Sequence, residues 1–210
     1  MSCGPGITEL PDVSRETSDA LLAFEALVRR WNPAINLVSK ASLDNIHDRH
    51  TVDSMQLYSL LPESAKLWVD LGSGGGFPGL VIAVMARADR PDLQVVLVES
   101  DARKATFLRQ AAQALDLKVH VLNERIESLP AQQADVLSAR ALAPLSALLG
   151  HAERHLRPGG LAIFPKGERY AEEIAIAQKT WSFALTTQPS LSEPGSAILM
   201  IRDIHRASKD

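Results

Sequence analysis

Asp70-Leu71-Gly72-Ser73-Gly74-Gly75-Gly76-Phe77-Pro78-Gly79 is the stretch that decides the fold. It follows the short apolar run Leu67–Leu71 and leads into the helical pattern Pro78–Arg90. A strand is thus expected to pass through a glycine-rich turn into a helix. That unit opens an α/β sheet, and such sheets bind ligands at the carboxyl ends of their strands. Glycine reaches positive φ and lets a ligand approach main-chain atoms with no Cβ in the way. Five glycines within residues 72–79 carry an entropic cost that a plain chain reversal does not offset. Pro78 suits a first helical turn, where its missing N–H costs nothing.

Downstream the pattern repeats. Leu93–Glu99 reads as a strand and Ala102–Leu115 as a helix; Val119–Leu122 and Ala134–Ser138 read as strands and Leu145–Leu156 as a helix. Leu161–Pro165 reads as a strand and Glu168–Gln178 as a helix, with two strands closing the chain, the last at Ala197–Arg202. Strands alternating with helices imply βαβ units and a doubly wound, mostly parallel α/β sheet of seven strands. Upstream the period is helical. Residues 14–31 form an amphipathic helix capped by Ser14 and stopped by Asn32-Pro33; residues 42–61 form a second, capped by Ser42 and closed by Pro62. The expected organisation is a helical extension over 1–62 and an α/β domain over 63–210.

The chain has 210 residues, 46% hydrophobic and 22% charged, a globular composition of one domain's size with an extension. A net charge of −3 gives no global attraction to nucleic acid or membrane, so a polyanion must meet a local basic patch. The lone Cys3 has no disulfide partner, and neither it nor the scattered histidines predict a metal site. The amino terminus lacks a signal pattern, and the longest apolar stretch, near Gly79–Ala86, is far short of the ~20 residues of a membrane span. A soluble, cytoplasmic, monomeric protein is expected.

Gly74-x-Gly76-x-x-Gly79 also matches the dinucleotide fingerprint, and Glu99 ends the next strand where an acid accepts ribose hydroxyls. Dinucleotide enzymes and S-adenosylmethionine-dependent methyltransferases share both features. A pyrophosphate cofactor is usually accompanied by a second mononucleotide-binding half or a further substrate domain, and about 110 residues follow Glu99. Leu156-Arg157-Pro158-Gly159-Gly160-Leu161 and the closing strands resemble class I methyltransferases, whose Rossmann-like sheet ends in an antiparallel hairpin.

From Trp31 onward the chain resembles the glucose-inhibited-division-protein-B family, also called ribosomal small-subunit methyltransferase G. The resemblance rests on Trp31-Asn32, Asn36-Leu37-Val38-Ser39, Arg49-His50 with Asp53-Ser54, the glycine turn, Arg103-Lys104 with Phe107-Leu108, Arg125-Ile126-Glu127, Ser138-Ala139-Arg140-Ala141 and Pro165-Lys166-Gly167. It implies methyl transfer from S-adenosylmethionine to N7 of a guanine in 16S ribosomal RNA, near the decoding region, on naked RNA or the small subunit. It also implies that Gly72, Ser73, Gly74 and Phe77 contact the cofactor, with Glu99 on the ribose, Ile126 and Glu127 flanking the adenine, and Arg140 lining the site. Two departures stand out: Ala139 precedes Arg140, and Glu99 stands where many relatives carry aspartate.

Guanine N7 carries a lone pair in the neutral base, so it attacks without losing a proton and needs no general base. Catalysis is then expected to be positioning, with Arg140, Lys166 and His50 as candidates. Phosphate contacts are expected from Lys40, Arg49, His50, Arg103, Lys104, Arg125 and Lys166; Arg103 and Arg109 read equally well as wet helix faces. Asp53, four residues after Arg49, is expected to pair with it. Trp31 is expected in the core and Phe77 exposed to the site. A methyltransferase of a small molecule or protein, a dinucleotide-dependent oxidoreductase and a non-enzymatic RNA-binding module remain alternatives at this point.

Overall fold

The computed structural model describes residues 10–207; Cys3 and the start of the 1–62 extension lie outside them. Seven strands form one sheet: β1 (Leu67–Leu71), β2 (Gln94–Val98), β3 (Val119–Leu122), β4 (Ala134–Ala139), β5 (Leu156–Lys166), β6 (Trp181–Pro189) and β7 (Ala197–Arg206). Their order is β3-β2-β1-β4-β5-β7-β6. β1 to β5 run parallel, and β7 is antiparallel to both β5 and β6. The doubly wound sheet and its closing hairpin are as the sequence predicts.

Helices α1 (Arg15–Ile35), α4 (Gly79–Asp89) and α5 (Ala102–Ala114) cover one face, and α6 (Leu145–His155) and α7 (Tyr170–Ala177) the other. Each parallel strand feeds both cores: in β1, Trp68 packs on the first face and Val69 on the second, both fully buried. Burial on two faces explains why these strands read as continuous apolar runs. Leu21, Phe24 and Val28 of α1 belong to the same apolar cluster as Leu80, Ile82 and Trp68, so the extension shares the sheet's core. The Trp31 ring lies 5.8 Å from that of Phe107 on α5, the packing role expected of it.

Helix α1 does not stop at Asn32-Pro33; it runs through Pro33 to Ile35. Proline leaves the carbonyl four residues back without its helical donor, and here that residue, Arg29, is exposed to water. The stop is Asn36, at φ 50° with its N–H donating to Asn32 O. Asn32 Oδ1 then accepts from Val38 N at 2.8 Å.

The expected helix over 42–61 is instead three pieces. Ser39, not Ser42, caps α2 (Lys40–Leu43), accepting from Ser42 N at 3.2 Å. A π-helical turn, His47–Val52, follows and leads into α3 (Asp53–Tyr58). The buried carboxylate of Glu25 on α1 holds that turn: Oε1 accepts from Thr51 Oγ1 at 2.7 Å and meets His47 Nδ1 at 2.8 Å. Single π turns concentrate at functional sites. Strand β5 also begins earlier than predicted, at Leu156, because Arg157-Pro158-Gly159-Gly160 is absorbed as an irregularity against β4, with Gly159 at φ 74°.

Candidate cofactor turn and acceptor cleft

The glycine turn forms at the carboxyl end of β1, at the centre of the sheet. Gly72, Gly74 and Gly76 adopt φ of 66°, 52° and 90°, which side chains disfavour. Ser73 N donates to Val98 O at 3.0 Å and its Oγ to Asp70 O at 2.9 Å, fixing the turn against β2. Around Gly74 the space is open: a Cβ there would meet nothing closer than Gly72 O at 3.7 Å. Glu99, just past β2, accepts Gly74 N on Oε2 and Asp101 N on Oε1, each at 2.8 Å. A carboxylate oxygen holds two lone pairs, so both oxygens of this fixed acceptor stay able to receive the two hydroxyls of a ribose. An open glycine cradle beside an aligned acceptor fits an adenosine ligand.

Asp70 anchors the turn from beneath. Its buried carboxylate accepts Ser138 Oγ at 2.7 Å and Gly79 N at 3.2 Å, and Ser138 Oγ accepts Trp68 Nε1 at 2.8 Å. This chain ties β1, β4 and the start of α4 together. Burial pushes the Asp70 carboxyl up to about 6, against hydrogen bonds and the Arg140 charge that pull it down. A carboxyl raised on folding favours the folded state fully below its unfolded pKa, and that advantage fades as pH rises through the folded value. Wild type is therefore expected to lose on the order of 2–3 kcal/mol relative to Asp70→Asn between pH 4 and 6. Urea titrations of both proteins across that window check it; parallel curves would contradict it.

Above the turn, Arg140 after β4 gathers residues from the extension. Its Nη1 meets His50 Nδ1 at 2.5 Å and Arg49 O at 3.4 Å, and lies 3.8 Å from Asp53 Oδ2. The guanidinium stands 5.6 Å from the centre of the Phe77 ring. Burial lowers the Arg140 pKa, while Asp53 and Asp70 oppose that shift. Burial likewise raises Asp53, against the pull of Ser192, Arg140 and Gln56. Phe77 is 4% exposed and packs on Phe24 at 4.9 Å and His50 at 5.1 Å, so it is part of the floor and not open to the site as the sequence suggests. The expected Arg49–Asp53 pair does not form either. The π turn widens the helical repeat, so residues four apart no longer share a face; Arg49 meets Glu193 Oε1 at 2.9 Å instead.

A cleft of about 970 Å³ opens over the ends of β4 and β5, between the extension and the hairpin loop 190–196. Arg49, His50, Arg140 and Lys166 all line it. The cleft abuts the glycine turn: a Cβ on Gly72 would lie 2.6 Å from Leu142 Cδ1, and one on Gly75 3.2 Å from Leu37 O, both lining residues. Lys166 Nζ is engaged, with Glu173 Oε2 at 2.7 Å and Ala143 O at 3.0 Å, so it braces the segment after Arg140. Lys40 is exposed beside Ser39 and Ser42 at the cleft's edge. Arg103, paired with Asp101 at 3.2 Å, and Lys104, Arg109 and Arg125 lie outside the lining. Ile126 is buried and Glu127 exposed in the turn Ile126–Ser128, whose carbonyls at Glu127 and Leu129 accept from Arg154 at 2.8 and 2.5 Å.

Sequence reasoning missed the loop 190–196. Gln56 accepts Leu191 N at 3.0 Å and Asp53 accepts Ser192 Oγ at 2.8 Å, so the loop is tied to α3; its Ser/Glu/Pro/Gly composition reads only as a connection. It also passed over the His151…His155 spacing on α6, but among the described residues no group of three His, Cys, Asp or Glu is placed to hold a metal. No helix there is long and apolar enough to cross a membrane.

Comparison with solved structures shows the fold. A methyltransferase from Geobacter sulfurreducens matches with a TM-score of 0.59 and 18% identity over 92% of each chain. The Pyrococcus horikoshii protein TYW2, solved in complex with MeSAdo, matches with a TM-score of 0.53 and 15% identity over 82% of this chain and 65% of that one. The family model described as rRNA small subunit methyltransferase G matches residues 17–197. Curated relatives bear the name "Ribosomal RNA small subunit methyltransferase G". One from Cereibacter sphaeroides is 52% identical over 91% of this chain and 93% of its own. Another, from a Ruegeria species, is 48% identical over 98% and 100%. With a family model spanning most of its length and relatives near half identity, the chain belongs to the ribosomal RNA small subunit methyltransferase G family.

Proposed function

We propose that this protein transfers a methyl group from S-adenosylmethionine to N7 of a guanine in 16S ribosomal RNA, acting as a monomer in the cytoplasm. One observation carries the reading: the glycine turn, with its aligned Glu99 acceptor, backs directly onto a cleft lined by arginines. Residues 63–210 form the cofactor domain, and the extension within 1–62 walls the acceptor cleft.

Gly72, Ser73 and Gly74 hold the cofactor along the turn, with Phe77 beneath them as packing in the floor; Glu99 takes the ribose, Ile126 and Glu127 flank the adenine, and Arg140 closes the site. When bound, S-adenosylmethionine supplies an electrophilic methyl on a sulfonium. The chain's own task is to place a purine in line with it. No side chain needs to take a proton, and the two carboxylates that face Arg140 are otherwise engaged, Asp70 with Ser138 and Gly79 and Asp53 with Ser192 and Gln56. As N7 is alkylated the purine becomes cationic. Asp53 and Asp70 face Arg140, so its charge is compensated and the cleft floor does not oppose that change.

Arg49, Lys40 and Arg169 stand at or beside the cleft and bind phosphates; a phosphate takes the place of Glu193 on Arg49. Arg49→Ala is expected to reduce the slope of log affinity against log salt by ~0.7 for single-stranded RNA, with no change in S-adenosylmethionine affinity. Fluorescence titration over a salt series measures it; an unchanged slope removes Arg49 from the phosphate contacts. The function is tested by mass mapping of 16S RNA from cells with and without the protein. A 7-methylguanine lost with the protein and restored by it is expected, and an unchanged guanine methylation pattern would overturn the reading.

A further inference from the structure

Among the described residues, His50 Nε2 and Ser196 Oγ are buried side-chain polar atoms that lack a hydrogen-bond partner. His50 and Ser196 both line the acceptor cleft. Buried polar groups are nearly always paired, and an orphan is costly to keep. Two orphans in the cleft wall mark a surface that awaits a polar ligand.

His50 is further specified. Arginine only donates, so the 2.5 Å contact makes His50 Nδ1 the acceptor of Arg140 Nη1. The free nitrogen, Nε2, must then carry the ring proton in the neutral imidazole. Burial, with Arg140 and Arg49 close by, pushes the ring's pKa down to about 3, so it stays neutral wherever the enzyme works. The ring is braced: the π turn carries it, Glu25 holds that turn on α1, and Phe77 packs at 5.1 Å. The result is a neutral N–H donor, closed off and unpartnered in the free protein, on a residue of the cleft wall.

We infer that His50 is a specificity-determining residue whose Nε2–H donates to O6 of the target guanine. The inference rests on the guanine-N7 reading above. O6 and N7 share one edge of the purine, so whatever reads O6 lies beside the reacting atom. A cationic donor there would oppose the positive charge that grows on N7; a neutral imidazole donor does not. Adenine has an equally available N7, but it presents an amino group where guanine presents O6. Two donors would then face each other and leave a buried donor unpaired, and sites of that kind discriminate strongly.

The test uses full-length protein and 16S RNA particles carrying guanine, inosine or 2-aminopurine at the target position. Inosine keeps O6 and lacks the 2-amino group; 2-aminopurine lacks O6. Wild type is expected to prefer guanine over 2-aminopurine by ~10–100-fold in kcat/KM. His50→Phe keeps a packed ring without the donor, and the guanine/2-aminopurine ratio is expected to fall at least ~10-fold while the guanine/inosine ratio holds. If His50→Phe does not turn over, the same ratios are read from equilibrium binding in the presence of S-adenosylhomocysteine. A guanine/2-aminopurine ratio that the substitution leaves unchanged, or that moves together with the inosine ratio, overturns the inference and leaves the guanine reading standing. Wild type that methylates none of the three RNAs overturns both.

Discussion

Gly72→Asp is expected to abolish cofactor binding, lowering affinity for S-adenosylmethionine by more than about a thousandfold, or roughly 4 kcal/mol. Three effects add. At φ 66° the backbone of residue 72 disfavours any side chain, a strain of about 1–3 kcal/mol. A Cβ there points at Leu142, 2.6 Å from its Cδ1, and so fills the space between turn and cleft. The new carboxylate places a negative charge where the main chain must meet the ligand. Leu142 is 36% exposed and free to swing away, so the fold survives and the loss falls on the ligand. Gly72→Ala, which adds the Cβ without the charge, is expected to fall between the two. Isothermal titration gives the affinities, and normal binding by the aspartate variant would remove Gly72 from the site.

Gly79→Ala is expected to act on the fold. A Cβ at Gly79 would lie 2.2 Å from Leu97 Cδ2 and 2.8 Å from Asp70 Oδ2. Neither neighbour has room to yield: Leu97 is fully buried, and Asp70 is held by Ser138 and by Gly79's own N–H. Overpacking a tight core costs about 1–3 kcal/mol, and here it also pushes α4 off the carboxylate that anchors it. About 3 kcal/mol is expected, a fall in Tm of roughly 6–12 °C for a chain of this size. Calorimetry measures it, and a Tm within a degree or two of wild type would contradict the close packing of α4 on β1 and β2.

The glycine turn and Glu99 were legible because their signals are local. Positive φ, strand ends and the spacing of one βα unit to the next are carried by neighbouring residues. The elements that shape the acceptor cleft were not. Pro33 sits inside α1 because the carbonyl it leaves without a donor is on a wet face, a fact of tertiary exposure. The π turn at His47–Val52 depends on Glu25, over 20 residues upstream, so no window over 42–61 contains its cause. That turn also rotated Asp53 away from Arg49 and toward Arg140. Phe77 and Lys166 carry the right residue types for an open site, yet one is buried beneath His50 and the other is bound to Glu173. A strand end fixes which mouth a residue occupies; it does not fix which neighbour claims it. The loop 190–196 shows the same limit, since its hydrogen bonds run to Asp53 and Gln56, more than 130 residues back.

A crystal structure of the protein soaked with S-adenosylhomocysteine tests the central claim most directly. The account predicts the ribose hydroxyls on Glu99, the adenine beside Ile126 and Glu127, and the amino-acid end along Gly72–Gly74, with the sulfur facing the cleft at Arg140. Density for the nucleoside at any other place, or an empty turn in crystals whose protein binds the compound in solution, would contradict it.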